Sequence, residues 1–145
     1  MMLKALAFLL ALAAPLALAQ PEPIVAHAKS GPFDAVKEDL VLAIQAQGLV
    51  IDHTSHIGAM LDRTGKDLGA VRRVYLKAEA LQFCSASVSR RTMEADPLNI
   101  AYCPYVIALY VRPEEPNTVR VVYRRTLPVV DELLARIVKE ALDLK

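Results

Sequence analysis

The chain has 145 residues, with 17 basic and 16 acidic side chains and a formal net charge of +1. That balance argues against a nucleic-acid partner, whose affinity depends on clustered cations; Arg72-Arg73, Arg90-Arg91 and Arg124-Arg125 are short pairs set among acids and read as solvated faces. The length suits one domain around a single core.

Met1 to Ala19 reads as a secretory signal peptide. Lys4 gives a positive end, Ala5 to Ala19 is apolar apart from a break at Pro15, and Ala17-Leu18-Ala19 has the small-x-small form of a cleavage site. The run is shorter than the about 20 residues a spanning helix needs. We therefore expect a periplasmic or secreted protein, with residues 20–145 as a single soluble domain and no stable membrane insertion once the signal is removed. Its two cysteines then lie in a compartment where disulfides persist.

After the proline-rich start, Ile24 to Ala28 reads as a strand, broken by Ser30-Gly31-Pro32. Phe33, Val36, Leu40 and Ile44 recur at helical spacing, Asp34 suits the first turn, and Gly48 is a natural left-handed stop. A second strand is expected from Leu49 to His53, then a helix from His56 to about Thr64, capped by Thr54 or Ser55 and burying Ile57, Met60 and Leu61. The charged link Lys66 to Lys77 carries Val71, Val74, Tyr75 and Leu76, which suggests that it lies against the body.

Ala78 to Cys84 reads as the third strand. Ser85 or Ser87 can cap a helix that runs to about Ala95 and stops at Asp96-Pro97; Pro97 to Tyr102, if extended, can retrace about 20 Å. Tyr102 to Arg112 is the longest strand signal, its near-continuous apolar run predicting a central strand covered on both faces. The turn Pro113 to Asn117 and the strand Thr118 to Arg125 complete a hairpin. Pro128 opens the last helix, with a stripe of Val130, Leu133, Leu134, Ile137, Val138, Ala141 and Leu142. These elements predict an α+β fold: a single five-stranded sheet, mostly antiparallel or mixed, packed by about four helices and ending in a hairpin plus helix.

The order of elements, and above all FCSASVSRRTMEADPLNIAYCPYVIALYV, resembles the domain of unknown function 302 family, with Cys84-Ser85-Ala86, Asp96-Pro97 and Cys103-Pro104 at the family's turn positions. The helix Phe33…Leu40…Gly48 and the segment His56-Ile57…Met60-Leu61-Asp62-Arg63-Thr64-Gly65 resemble its exported branch. Ser85-Ala86 departs from the Asn-Pro that follows the first cysteine in relatives. The resemblance covers essentially the whole mature chain. It implies a compact α+β domain, a homodimer, and cysteine positions that come together; it carries no activity.

Cys84 ends one strand and Cys103 begins another. They meet if the strands run antiparallel, and the eighteen residues between them permit this without forcing it. A disulfide, two buried thiols, or a thiol, metal or redox site all remain open. No Cys-x-x-Cys is present. The metal reading takes His56 and Met60, four apart on one helix face, with Cys84 and Cys103 as a set suited to copper or zinc; His53 is a possible further ligand. His53, Asp96, Pro104 and Tyr105 are the remaining candidate binding residues. Tyr102, Tyr105, Tyr110 and Tyr123 are expected to fill core and dimer contacts, the alternative being a small apolar pocket on the central hairpin. The expected function is a non-enzymatic binding or accessory module without a resident cofactor; the alternative is a thiol- or metal-based protein using Cys84 and Cys103.

Overall fold

The computed structural model describes residues 23–144, so the signal-peptide expectation falls outside the described residues. The chain runs β1 (Ile24–Ser30), α1 (Phe33–Ala46), β2 (Ile51–Ser55), α2 (Ile57–Gly65), β3 (Lys77–Phe83), α3 (Ala86–Ala95), a 3-10 helix (Pro97–Tyr102), β4 (Tyr105–Val111), β5 (Thr118–Arg124) and α4 (Pro128–Leu142). One sheet holds the strands in the order β1-β5-β4-β3-β2. Every junction is antiparallel. β2 to β5 form a meander, and α1 carries the chain from the β1 edge to the β2 edge. The expected fold class, strand count and closing hairpin-plus-helix are all present.

α1 and α4 supply the helical side of the core. Phe33, Val36, Leu40 and Ile44 are buried on α1, and all seven expected stripe residues are buried on α4. They pack against Leu81, Phe83, Tyr105, Ile107, Leu109, Val111, Val119, Val121 and Tyr123 of the sheet. α1 stops as its glycine dictates: Gly48 has φ +72°, its N–H donates to Gln45 O at 2.8 Å, and Leu49 N–H donates to Ile44 O at 3.3 Å, the paired bonds of a Schellman ending. At the far end of α4, Lys29 Nζ donates to Leu142 O at 3.1 Å, where helical carbonyls lack partners and a cation is favoured.

Several local expectations need correction. β2 spans Ile51–Ser55 rather than Leu49 to His53, because the α1 ending uses the Leu49 N–H. Thr54 and Ser55 are therefore strand residues, and α2 begins after His56 without a side-chain cap. α2 does not bury Ile57, Met60 and Leu61: Gly58 is its one buried residue, and Met60 is 41% exposed. The helix approaches β3 through its glycine, where a Cβ would stand 2.9 Å from Ala78 N.

The link before β3 does not lie against the body along its length. Val71 is 98% exposed; Arg73 is tied to Asp62 of α2 by an ion pair, and apolar contact begins at Tyr75, whose ring sits 5.0 Å from that of Tyr110, and at Leu76, which packs on the core. The return from α3 is a 3-10 helix rather than an extended segment, started by Pro97 and by Asp96 Oδ1, which accepts from Leu98 N–H at 2.9 Å. β4 is central but covered on one face: Tyr105, Ile107, Leu109 and Val111 are buried, whereas Val106 is 39% exposed and Ala108 and Tyr110 are half-buried. Both long helices pack on the first face, and α2 packs chiefly on β3.

Candidate functional site: a slot beside the disulfide

β3 and β4 are antiparallel neighbours with Phe83 opposite Tyr105. Cys84, one step beyond β3, and Cys103, two before β4, therefore reach the same end of the sheet. They are joined as a disulfide, with Cα atoms 6.3 Å apart, inside the span a disulfide bridges. Buried hydroxyls tie α3 to this end. Ser85 Oγ accepts from Val88 N–H as the α3 cap. Ser89 Oγ and Tyr105 Oη are hydrogen-bonded at 2.9 Å, and Thr92 Oγ1 donates to Ser89 O at 3.0 Å. Asn99 Nδ2 donates to Thr92 O at 2.9 Å and fixes the 3-10 helix against α3. Buried polar groups are thus paired, as a stable interior requires.

Next to the clasp the sheet opens. β1 is laddered to β5, and β3 to β4, over seven residue pairs each; the β4–β5 ladder has three, from Tyr110–Arg120 to Ala108–Val122. Continuing it would pair Ile107 with Tyr123, Val106 with Arg124 and Tyr105 with Arg125, and these pairs are absent from the ladder. A slot of about 370 Å³ occupies this place. Its walls include Val106 and Tyr105 on one strand and Val122 and Tyr123 on the other; Val130 and Leu134 of α4 also line it, as do Tyr102 and Pro104. That volume falls in the range of small-molecule sites. Burial, opposed in part by the nearby Arg125 cation, raises the Tyr123 hydroxyl above its usual pKa.

The sequence-derived candidates divide. Pro104, Tyr105, Tyr102 and Tyr123 meet at the slot, while Tyr110 lies elsewhere against Tyr75. Asp96 caps the 3-10 helix nearby. His53 sits in the edge strand β2 opposite Gln82. His56 and Met60 do not join Cys84 and Cys103: His56 Nδ1 lies 3.2 Å from Glu79 Oε1, and Glu79 is five residues up an extended chain from Cys84, roughly 15 Å away. The sulfurs are bonded to each other and are not the thiolates that bind metal. Among the described residues no group of three or more His, Cys, Asp or Glu is placed to hold a metal ion.

Two ionic clusters escaped the sequence reading. Glu79 faces α1 from within the apolar β3, with Oε2 2.5 Å from Lys37 Nζ; the signal was an acid alternating in register with Leu81 and Phe83. At the β4–β5 turn, Arg112 and Arg120 both bind Glu115, at 2.9 Å each. Hydrogen bonds from Arg112, then Arg120, hold the Glu115 carboxyl below its usual pKa.

A family model described as "Domain of unknown function DUF302" matches residues 25–143. No curated protein matches the chain. Among solved structures, the uncharacterized conserved protein DUF302 from Bacillus stearothermophilus superposes with a TM-score of 0.64 at 14% identity, covering 84% of this chain and 97% of that one; at this identity the likeness concerns the fold alone. With the family model spanning nearly all the described residues and the same architecture in a solved member, the chain belongs to the DUF302 family.

Proposed function

We propose that the protein is a non-enzymatic binding module of the periplasm or secreted space, which holds a small and largely apolar molecule in the slot between β4 and β5. The observation that carries this reading is the slot itself, a gap of about 370 Å³ in an otherwise laddered sheet, lined by valine, leucine and tyrosine side chains. Sites for small molecules combine this kind of apolar lining with a few placed polar groups. The disulfide supports the extracytoplasmic location, where such bonds persist. The homodimer implied by the family resemblance is part of the proposal: among the described residues β1 pairs only with β5, and an edge strand of this kind can take a second copy. Sedimentation velocity showing a monomer at every concentration would remove that part.

The test of binding uses the neutral fluorophore N-phenyl-1-naphthylamine. The wild-type protein binds it saturably, one molecule per chain. Ala101, an exposed residue of the 3-10 helix, lines the slot; Ala101→Trp fills the space without entering the core and abolishes the fluorescence. No saturable binding, or binding untouched by A101W with the far-UV spectrum unchanged, refutes the reading.

A further inference from the structure

The slot carries one sign of charge. Among the described residues that line it, Arg124 is the only ionisable one other than tyrosine, and none is acidic. Its guanidinium is solvent-exposed and makes no ion pair among the described residues. Arg73, Arg112 and Arg120, by contrast, are each bound to a carboxylate. The acid closest in sequence, Asp131, is engaged: its Oδ1 accepts from Thr126 N–H at 2.7 Å and from the Thr126 hydroxyl at 3.3 Å. The Tyr105 hydroxyl is committed to Ser89. The groups left to select a ligand are therefore an apolar surface, the Tyr102 and Tyr123 hydroxyls and one cation, Arg124.

We infer that the ligand is a small amphiphilic anion, an apolar chain or ring ending in a carboxylate, with its body against the accessible side chains Tyr102, Val106 and Val122 and its head at Arg124. The inference rests on the reading of the slot as a binding site and adds the chemical class. An arginine fork matches a carboxylate in two parallel hydrogen bonds, which a hydroxyl of the same chain length cannot form. The apolar body supplies affinity by leaving water, and the head fixes which end enters. Arg124 sits at the end of β5, opposite Ile24 of β1, so its backbone is anchored on the side away from the slot.

Three eight-carbon probes that differ only in the head group test this: octanoate, 1-octanol and octylammonium, each displacing N-phenyl-1-naphthylamine from the purified protein. Octanoate should displace it at a concentration about tenfold lower than octanol, as one charge-assisted pair implies, and octylammonium should be weakest. Arg124→Gln should bring octanoate to the level of octanol, and Arg124→Glu should invert the order in favour of octylammonium. Arg124 is exposed, so neither variant threatens folding. Equal displacement by octanoate and octanol, unchanged in Arg124→Gln, overturns the anion inference while the slot stands as an apolar site. Failure of the fluorophore and of all three probes to bind removes the binding reading itself.

Discussion

Gly58→Ala sets two effects of known size against each other. In the interior of an exposed helix this change stabilises by up to about 1 kcal/mol, because glycine loses more backbone freedom on folding than alanine. At Gly58 the added Cβ would lie 2.9 Å from Ala78 N and 3.5 Å from Ala78 O. Those atoms belong to a strand laddered on both sides, Ala78 pairing with Tyr110 in β4 and its neighbour Ala80 with Ser55 in β2. They cannot retreat, so α2 must move, and forced overpacking of this kind costs about 1–3 kcal/mol. The repulsion wins: the net loss is about 1–2 kcal/mol, or roughly 4–8 °C in Tm. Gly65→Ala, at the other end of α2, is the control. Its Cβ would meet only the Ala70 side chain, at 3.4 Å, so propensity prevails and stability holds or rises. Urea unfolding followed by far-UV circular dichroism measures both. A G58A protein as stable as wild type would show that α2 does not dock through its glycine, and the account of the exposed Met60 would fall with it.

Four further outcomes are expected. Replacing both cysteines by alanine should cost about 3 kcal/mol for a loop of this length, read from urea midpoints without reductant; a loss below 1 kcal/mol would mean that the buried hydroxyls hold this end unaided. Lys37→Ala should cost about 1–3 kcal/mol, since it strips a charged partner from the buried Glu79 Oε2. The depressed Glu115 carboxyl binds its proton less readily folded than unfolded, so its contribution is present above the unfolded value near pH 4.3 and fades as pH falls through the lower folded value; Glu115→Gln should be less stable than wild type at pH 7 and equal to it at low pH. The raised Tyr123 hydroxyl keeps its proton longer in the folded state, a stabilisation present below about pH 10 and lost as pH climbs through the folded value; Tyr123→Phe should remove from the 295 nm absorbance curve one tyrosine that titrates above the ordinary value.

The parts of the fold legible in the sequence depend on neighbours along the chain. The α4 stripe reads directly because helical periodicity decides which side chains face inward, and Gly48 reads directly because one left-handed residue closes one helix. β2 was misread by two residues because a Schellman ending uses a residue that resembles the start of a strand. The burial of α2 was misread because the apolar rule ranks Met60 above glycine, whereas a close approach between backbones requires the glycine. At the site, the core reading of the tyrosines holds for Tyr105 and Tyr123, which are buried and also line the slot with Tyr102. Tyr110 lies outside it because it sits where the β4–β5 ladder is intact, opposite Arg120; parity does not separate it, since Val106 and Ala108 of its own face line the slot. The slot itself was not legible: β4 and β5 carry strand-forming residues throughout, and nothing local marks where their ladder ends.

Beyond the end of that ladder each wall of the slot is fixed on its far side. On the β5 side, Tyr123 and Arg124 are laddered to Val25 and Ile24. On the β4 side, Tyr105 and Val106 are laddered to Phe83 and Gln82. The residue before Tyr105 is Pro104, which has no N–H to offer a neighbouring strand. Cys103, one step earlier, is tied to Cys84, and the 3-10 helix behind it is pinned to α3 by Asn99. Closing the gap would require one wall to shift together with the strand laddered to its far side. Collapse of side chains into the gap is opposed as well, because Tyr105 is fixed by Ser89, while Val130 and Leu134 are locked in the α4 core. A cavity kept open by covalent and hydrogen-bonded struts, rather than by loose packing, is preorganised for a ligand and loses little freedom on taking one. The disulfide then bears on binding without any chemistry at sulfur. The cysteine-free protein should bind the slot fluorophore more weakly even under conditions where it remains fully folded, and equal binding by the two folded proteins would show that the hydrogen bonds alone hold the wall.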